Sequence, residues 1–312
     1  MSRMVSGVAA LAALVMAAVV MAAAPTAGTA GAAARRPQAR IVAVGAENQY
    51  ANVIGQVGGR FVRVSAVMSN PATDPHQFEA STQVAEEVAS ARLVVQNGLG
   101  YDAFMGRLEA ASPNSSRRVI DVQTLLHLPS STPNPHLWYK PSTMPAVAAA
   151  IARDLSAMDP AHRGAFQRNL AAFDRSLQPW RRAIAALKAR FGGARVATTE
   201  PVADYLLQAA GLDNATPFSF QADIMNGVDP SPQDVSVEQS LLRGKVKVFV
   251  YNRQVTDSLT SSLLSIARAA HVPVVGVYET MPAPGFDYQS WMTAEVSALT
   301  RALARRVSAP SL

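Results

Sequence analysis

From residue 40 onward the chain alternates short, β-rich apolar runs with longer segments whose apolar residues recur at helical spacing. The pattern predicts strands over 40–44, 61–67, 93–96 and 118–121, and helices over 47–58, 81–91 and 102–111, with Gly58-Gly59 ending the first helix and Asn97-Gly98 closing the third strand. An Ala-rich amphipathic helix follows over 142–158. Asp159-Pro160 then opens another, because Asp is a good N-cap and Pro suits the first helical turn. This helix is expected to run over 160–191 to Gly192-Gly193, roughly 45 Å of rigid connector. The alternation then resumes. Strands are expected over 195–198, 217–220, 246–251 and 272–278, and helices over 202–210, after Ser231, over 255–271 and over 288–307. Strands alternating with helices of about ten residues imply parallel sheets. The fold class expected is α/β, with two lobes (35–158 and 194–312), each a four-stranded parallel sheet flanked by helices. One long linker helix (159–193) joins them.

Length and composition agree with this layout. A chain of 312 residues suits two lobes of about 120–130 residues. Segment 1–34 has one basic residue, Arg3, then an uncharged apolar run and small residues with A-x-A-like cleavage points. That is a secretory signal peptide, with an uncleaved membrane anchor as the alternative. There is no cysteine, which excludes disulfides, thiolate metal sites and lipid attachment at a cysteine after the signal. Removing 1–34 deletes the charge of Arg3, so the formal charge falls from +6 to +5. The arginines come as scattered pairs (Arg35-Arg36, Arg117-Arg118, Arg181-Arg182, Arg305-Arg306) without interleaved aromatics. Nucleic acid wants a contiguous basic stripe, so no nucleic-acid partner is expected, and a basic surface near an anionic membrane is the preferred reading.

One short stretch is used twice. Asp74-Pro75-His76-Gln77-Phe78 and Asn134-Pro135-His136-Leu137-Trp138 each place a histidine after a proline and an aromatic two residues later. Proline fixes its own φ and pushes the preceding residue into extended geometry, so each histidine leaves a stiff turn. Pre-ordering a ligand lowers the entropy cost of binding a metal. Ligands of parallel α/β folds lie outside the carboxyl ends of the strands. His76 and His136 follow the second and fourth strands, while Glu200 and Glu279 end the first and last strands of the second lobe. Two imidazoles and two carboxylates make a competent nitrogen–oxygen site for a divalent first-row cation. The alternatives are a helix N-terminal carboxylate for Glu200 and a solvated strand end for Glu279.

With these motifs the sequence resembles the zinc/manganese-type solute-binding proteins of bacterial ABC importers over about residues 40–304. Asn97-Gly98-Leu99-Gly100-Tyr101 and Asp229-Pro230-Ser231-Pro232 support the likeness. The resemblance implies His76 and His136 as ligands, with Glu200 at a third position that is His in zinc-type and Glu in manganese-type members. Glu279 stands where the family has Asp, and Tyr251-Asn252 replaces an aromatic-Glu pair, which puts a neighbouring contact in doubt. The His-rich loop of zinc-type members is missing. The implied cargo is one divalent ion, Zn²⁺ or Mn²⁺ with Fe²⁺ also suited. The implied partners are a separately encoded permease and ATPase. A monomer outside the cytoplasmic membrane, periplasmic or associated with the cell surface, is expected.

Other residues are assigned blander roles. His127 reads as a loop residue, His162 as a solvated first-turn residue and His271 as a helix-end residue. Glu79 either orients His76 through its other ring nitrogen or is a salt-bridged surface residue. Trp138 and Phe78 read as cleft walls or core, and Asp287 as the N-cap of the last helix. A secreted metallohydrolase is the rival function, but four ligands would fill a tetrahedral shell and no H-E-x-x-H motif occurs. A surface adhesin of the same fold is the third reading.

Overall fold

The computed structural model describes residues 39–72, 78, 80–282 and 284–312. Segment 1–34, expected to be a signal peptide, His76 and Glu79 lie outside them. The first half contains β1 (Ile41–Glu47), α1 (Asn48–Gly58), β2 (Val62–Met68), α2 (Thr82–Ser90), β3 (Leu93–Gln96), α3 (Phe104–Ala111), β4 (Arg118–Asp121), α4 (Val122–Leu125) and α5 (Thr143–Met158). Two helices follow, α6 (Arg163–Ser176) and α7 (Gln178–Phe191). The second half contains β5 (Arg195–Thr198), α8 (Asp204–Ala209), β6 (Asp213–Asn214), α9 (Phe218–Met225), α10 (Pro232–Leu242), β7 (Val248–Asn252), α11 (Ser258–Ala269), β8 (Val274–Val277) and α12 (Tyr288–Arg305).

Both sheets are parallel, and their strand orders correspond: β2-β1-β3-β4 and β6-β5-β7-β8. In each, the order reverses between the first strand and the third of that lobe. The reversal opens a crevice beyond the carboxyl ends of β1 and β3, and another beyond β5 and β7. Strands β2, β4 and β6 are partly exposed, while β1, β3, β7 and β8 are buried on both faces, as strands covered by helices must be. Alternation along β7 shows how. Val248 and Val250 join the large core shared by the first half, the connector and α12, while Phe249 and Tyr251 join a second core with α9, α10 and α11.

Three local expectations are corrected. The connector is not one unbroken helix, because Pro179 in the first turn of α7 lacks the N–H that would continue the ladder, and α6 gives way to α7 at Leu177. Leu177 keeps helical dihedrals and its carbonyl accepts from Arg181 N–H at 3.0 Å, so the chain stays coiled across the break. Asp159 does not cap through its side chain. Its Oδ2 instead bonds His162 Nδ1 at 2.6 Å, and that ring stacks on Phe61, so His162 is engaged while its side chain stays 30% exposed. Residues 217–220 are not a strand. Pro217 precedes α9, whose Phe220, Gln221, Ile224 and Met225 are buried at helical spacing, and the edge strand is the two-residue β6.

Capping elsewhere follows the local chemistry. Ser231 accepts from Asp234 N–H at 3.1 Å, and Asp287 forms a capping box with Ser290 at the start of α12. At the end of β3, Gly98 takes φ +79°, and a Cβ there would collide with Asp121 and Gln123. Asn97 and Gly98 both donate their N–H groups to the Asp102 carboxylate.

Candidate metal centre

His136 enters from the second Pro-His turn, just before a short 3-10 turn (Leu137–Tyr139), and it is fully buried. Asn134 sets its tautomer. The Asn134 amide nitrogen donates to the Pro201 carbonyl at 2.7 Å, which directs Oδ1 towards His136. That oxygen accepts from His136 N–H at 3.0 Å and lies 2.8 Å from Nδ1. An amide oxygen only accepts, so Nδ1 carries a proton and the neutral ring keeps its lone pair on Nε2. His136 Nε2 lies 3.1 Å from Glu279 Oε2.

Glu279 crosses from the other half of the molecule to meet it. Its carboxylate is fully buried, so the solvated strand-end reading fails. Oε2, which lies beside His136 Nε2, accepts from the Tyr101 hydroxyl at 3.0 Å, and Oε1 accepts from Asn252 Nδ2 at 2.7 Å. Burial and the Glu279 charge hold the Tyr101 phenol well above its ordinary range, so it stays a donor. The Glu279 backbone is fixed too. Its N–H donates to Gln254 Oε1 at 2.7 Å, and its carbonyl accepts from Gln49 Nε2, across the lobes, at 3.2 Å.

Glu200 follows β5 and is 3% exposed. Helix α8 begins four residues later, at Asp204, so Glu200 does not sit in a helical first turn. Its Oε1 accepts from Asn252 Nδ2 at 2.9 Å. The amide of Asn252 thus holds two buried carboxylates side by side, one on each N–H. Asn252 is the residue whose departure from the family pattern put a neighbouring contact in doubt. The contact exists, and it is made to both acids.

Trp138 is both wall and core: fully buried, it stands edge-on to His136 at 5.4 Å and to Tyr101 at 5.1 Å between ring centroids. Phe78, partly buried, packs on Phe104. Beneath the site Asn97 receives the Tyr50 hydroxyl at 2.7 Å and donates to the Pro135 carbonyl at 2.8 Å, steadying the turn that carries His136. Asp102, which anchors that loop, is pushed up to about 6 by burial against two backbone N–H donors. Glu47, at the end of β1, is raised well above the carboxylate range by burial and by Asp102 beside it.

His136 therefore meets Glu279, and Asn252 links Glu279 to Glu200. Among the described residues no three His, Asp or Glu side chains are grouped closely enough to hold an ion by themselves; His76 lies outside them. Two buried carboxylates and one buried imidazole among amide and phenol donors leave negative charge that a divalent cation would neutralise. Sequence reasoning missed Tyr101, Gln49 and Gln254. Each is an ordinary polar residue, and its part in the site becomes visible only when the two halves are apposed.

Comparison with known proteins follows the same lines. The family profile described as zinc-uptake complex component A, periplasmic, matches residues 44–302. The manganese-binding lipoprotein MntA of Bacillus subtilis is 27% identical over 141 residues, covering 42% of this chain and 44% of MntA. The chain thus spans less than half the length of that curated relative. Among solved structures, the solute-binding protein FpvC of Pseudomonas aeruginosa in complex with Mn²⁺ superposes with a TM-score of 0.71 at 22% identity, covering 85% of this chain and 98% of FpvC. A metal-free variant of the periplasmic metal-binding protein of Candidatus Liberibacter asiaticus gives 0.69 at 17% identity, covering 85% of this chain and 100% of that protein. At these identities the structural likeness speaks for the fold.

Proposed function

The chain belongs to the zinc-uptake complex component A family, and on that premise we propose that it is the extracytoplasmic solute-binding protein of a metal-ion ABC importer. It captures one divalent ion, Zn²⁺ or Mn²⁺, between a lobe at 35–158 and a lobe at 194–312, and delivers it to a membrane permease driven by an ATPase. The observation that carries the reading is the meeting of His136 and Glu279 across the two halves, both fully buried, with Glu200 held beside them by Asn252. His76, from the first Pro-His turn, completes the proposed set of four ligands.

Each ligand has a defined task. His136 offers the Nε2 lone pair because Asn134 keeps the other nitrogen protonated. Glu200 and Glu279 supply two negative charges, which balance a dication and remove much of the cost of burying it. Asn252 and Tyr101 keep the carboxylates aimed inward. The protein binds and releases without making or breaking covalent bonds. A filled ligand set leaves no position for an activated water, which a metallohydrolase requires.

Mass spectrometry of protein purified without chelators should find one divalent ion per chain. His136→Ala or Glu200→Ala should each weaken binding by about tenfold or more, since each removes a metal bond and, for Glu200, a neutralising charge. Variants that bind as tightly as the parent would exclude these residues from the site.

A further inference from the structure

Two successive helices of this chain carry a basic surplus. Helices α6 and α7 carry seven basic residues (Arg163, Arg168, Arg175, Arg181, Arg182, Lys188 and Arg190) against one acid, Asp174. That surplus of six equals the formal net charge of the whole chain. Arg168, Arg175 and Arg182 recur every seven residues, a spacing that returns to nearly the same side of a helix. All three are exposed, opposite the buried Phe166, Phe173, Trp180 and Ile184. Among the described residues the ion pairs use Asp154, Asp159, Asp213 and Glu279, and none involves an arginine of these two helices. A row of like charges without internal partners is a standing attraction for an anionic surface.

Beside the row, α7 packs against α12 and leaves a groove of about 400 Å³. Its lining includes Leu187, Phe191, Val296 and Thr300, with Arg190 and Arg301. Both arginines are exposed, and the Arg190 guanidinium lies over the Phe191 ring at 5.0 Å. Cationic side chains bordering an aliphatic and aromatic floor match the boundary between lipid headgroups and acyl chains, where arginine snorkels and aromatic rings settle.

We propose that the outer face of α6 and α7, with the groove shared with α12, is a docking surface for anionic phospholipid bilayers. The arginine row pairs with headgroup phosphates, and the groove seats a headgroup between Arg190 and Arg301. A bilayer fits better than a nucleic acid, because the aromatics between the arginines of the row, Phe166, Phe173 and Trp180, are buried and cannot stack on bases, and the groove floor is apolar. None of His136, Glu200, Glu279 or Asn252 lies on these helices, so the surface and the candidate metal centre can fail independently.

The full chain should be sedimented with vesicles of phosphatidylcholine alone and of phosphatidylcholine mixed with phosphatidylglycerol. Binding at low salt should be at least tenfold tighter to the anionic vesicles and should weaken at about 0.15 M salt as screening sets in. A basic residue near such a surface contributes about fivefold, so Arg168→Gln, Arg175→Gln and Arg182→Gln combined should lower vesicle affinity about a hundredfold. Arg190→Gln with Arg301→Gln should lower it further. Metal titration of the same variants reports whether they remain folded, and their metal affinity should equal the parent's. Equal binding to both vesicle types, or variants that sediment like the parent, would overturn the proposal. Duplex DNA bound tightly by a protein that ignores the anionic vesicles would assign the row to a nucleic acid and overturn it equally.

Discussion

Asn48, at the start of α1, grips Met281 from the opposite half of the molecule by both the backbone N–H and the carbonyl of that residue. Asn48 Nδ2 donates to the Met281 carbonyl at 2.8 Å, and Asn48 Oδ1 accepts from the Met281 N–H at 3.0 Å. Further bonds extend the seam. Gln49 reaches the Glu279 carbonyl, Gln56 and Gln289 exchange amide bonds at 2.7 and 2.9 Å, and Tyr288 donates its hydroxyl to the Trp138 carbonyl at 2.6 Å. The polar stripe of α1 is thus an interlobe fastening that ends at the residue proposed to bind metal.

Asn48→Ala should therefore act at a distance. It strands a buried N–H and a buried carbonyl of Met281, each costing about 1–3 kcal/mol when unsatisfied. It also loosens the 279–281 segment. Thermal unfolding should move to lower temperature, and metal affinity should fall several-fold although no ligand has changed. A variant whose melting temperature and metal titration both match the parent's would show that the seam is held elsewhere.

Ligand identity can be tested by exchanging one donor. Oxygen donors that can turn bidentate allow more than four bonds and suit Mn²⁺ better than a third imidazole would, while Zn²⁺ lies above Mn²⁺ in intrinsic affinity and accepts carboxylates. The parent should therefore bind Zn²⁺ at least as tightly as Mn²⁺ in competition titrations. Glu200→His should widen that preference. A shift towards Mn²⁺ would mean that Glu200 does not touch the ion.

Much of this was legible in the sequence, for identifiable reasons. Strands β1, β3, β7 and β8 are largely apolar runs, and the strand-end rule pointed to His136 and Glu279, which meet, and to Glu200, which shares the Asn252 amide with Glu279. What failed were elements lacking a pattern of their own. The strand β6 is two residues, Asp213 and Asn214, with no apolar signature. Helix α9 opens with Phe218-Ser219-Phe220, aromatic and β-like in isolation, and its helical spacing emerges only with Ile224 and Met225. Pro179 was visible, but a proline in a long amphipathic pattern does not reveal whether the chain kinks or stops. The interlobe amides were beyond reach, since Asn48 and Gln49 look like the solvent side of an amphipathic helix until the other lobe covers them.

The last prediction concerns acid and base, and it rests on Glu295 of α12. This carboxyl is fully buried; its Oε1 accepts from Trp291 Nε1 at 3.0 Å and lies 3.2 Å from the Tyr139 hydroxyl. Burial raises its pKa from the ordinary 4.5 to about 8, with the Trp291 and Tyr139 donors acting the other way. Folding therefore favours the protonated form. Its stabilising effect is complete below the unfolded value and is lost as pH rises through the folded one, because the unfolded chain then ionises while the folded chain resists. Over this interval the loss is on the order of 5 kcal/mol at most. Glu295→Gln keeps an acceptor for Trp291 and Tyr139 but cannot ionise. Parent and variant should unfold alike near pH 4.5, and the variant should become progressively more stable than the parent as pH rises to about 8. Denaturant unfolding at half-unit pH steps measures the gap directly. A gap that stays constant across the range would mean that Glu295 is ionised in the fold and held by partners other than Trp291 and Tyr139.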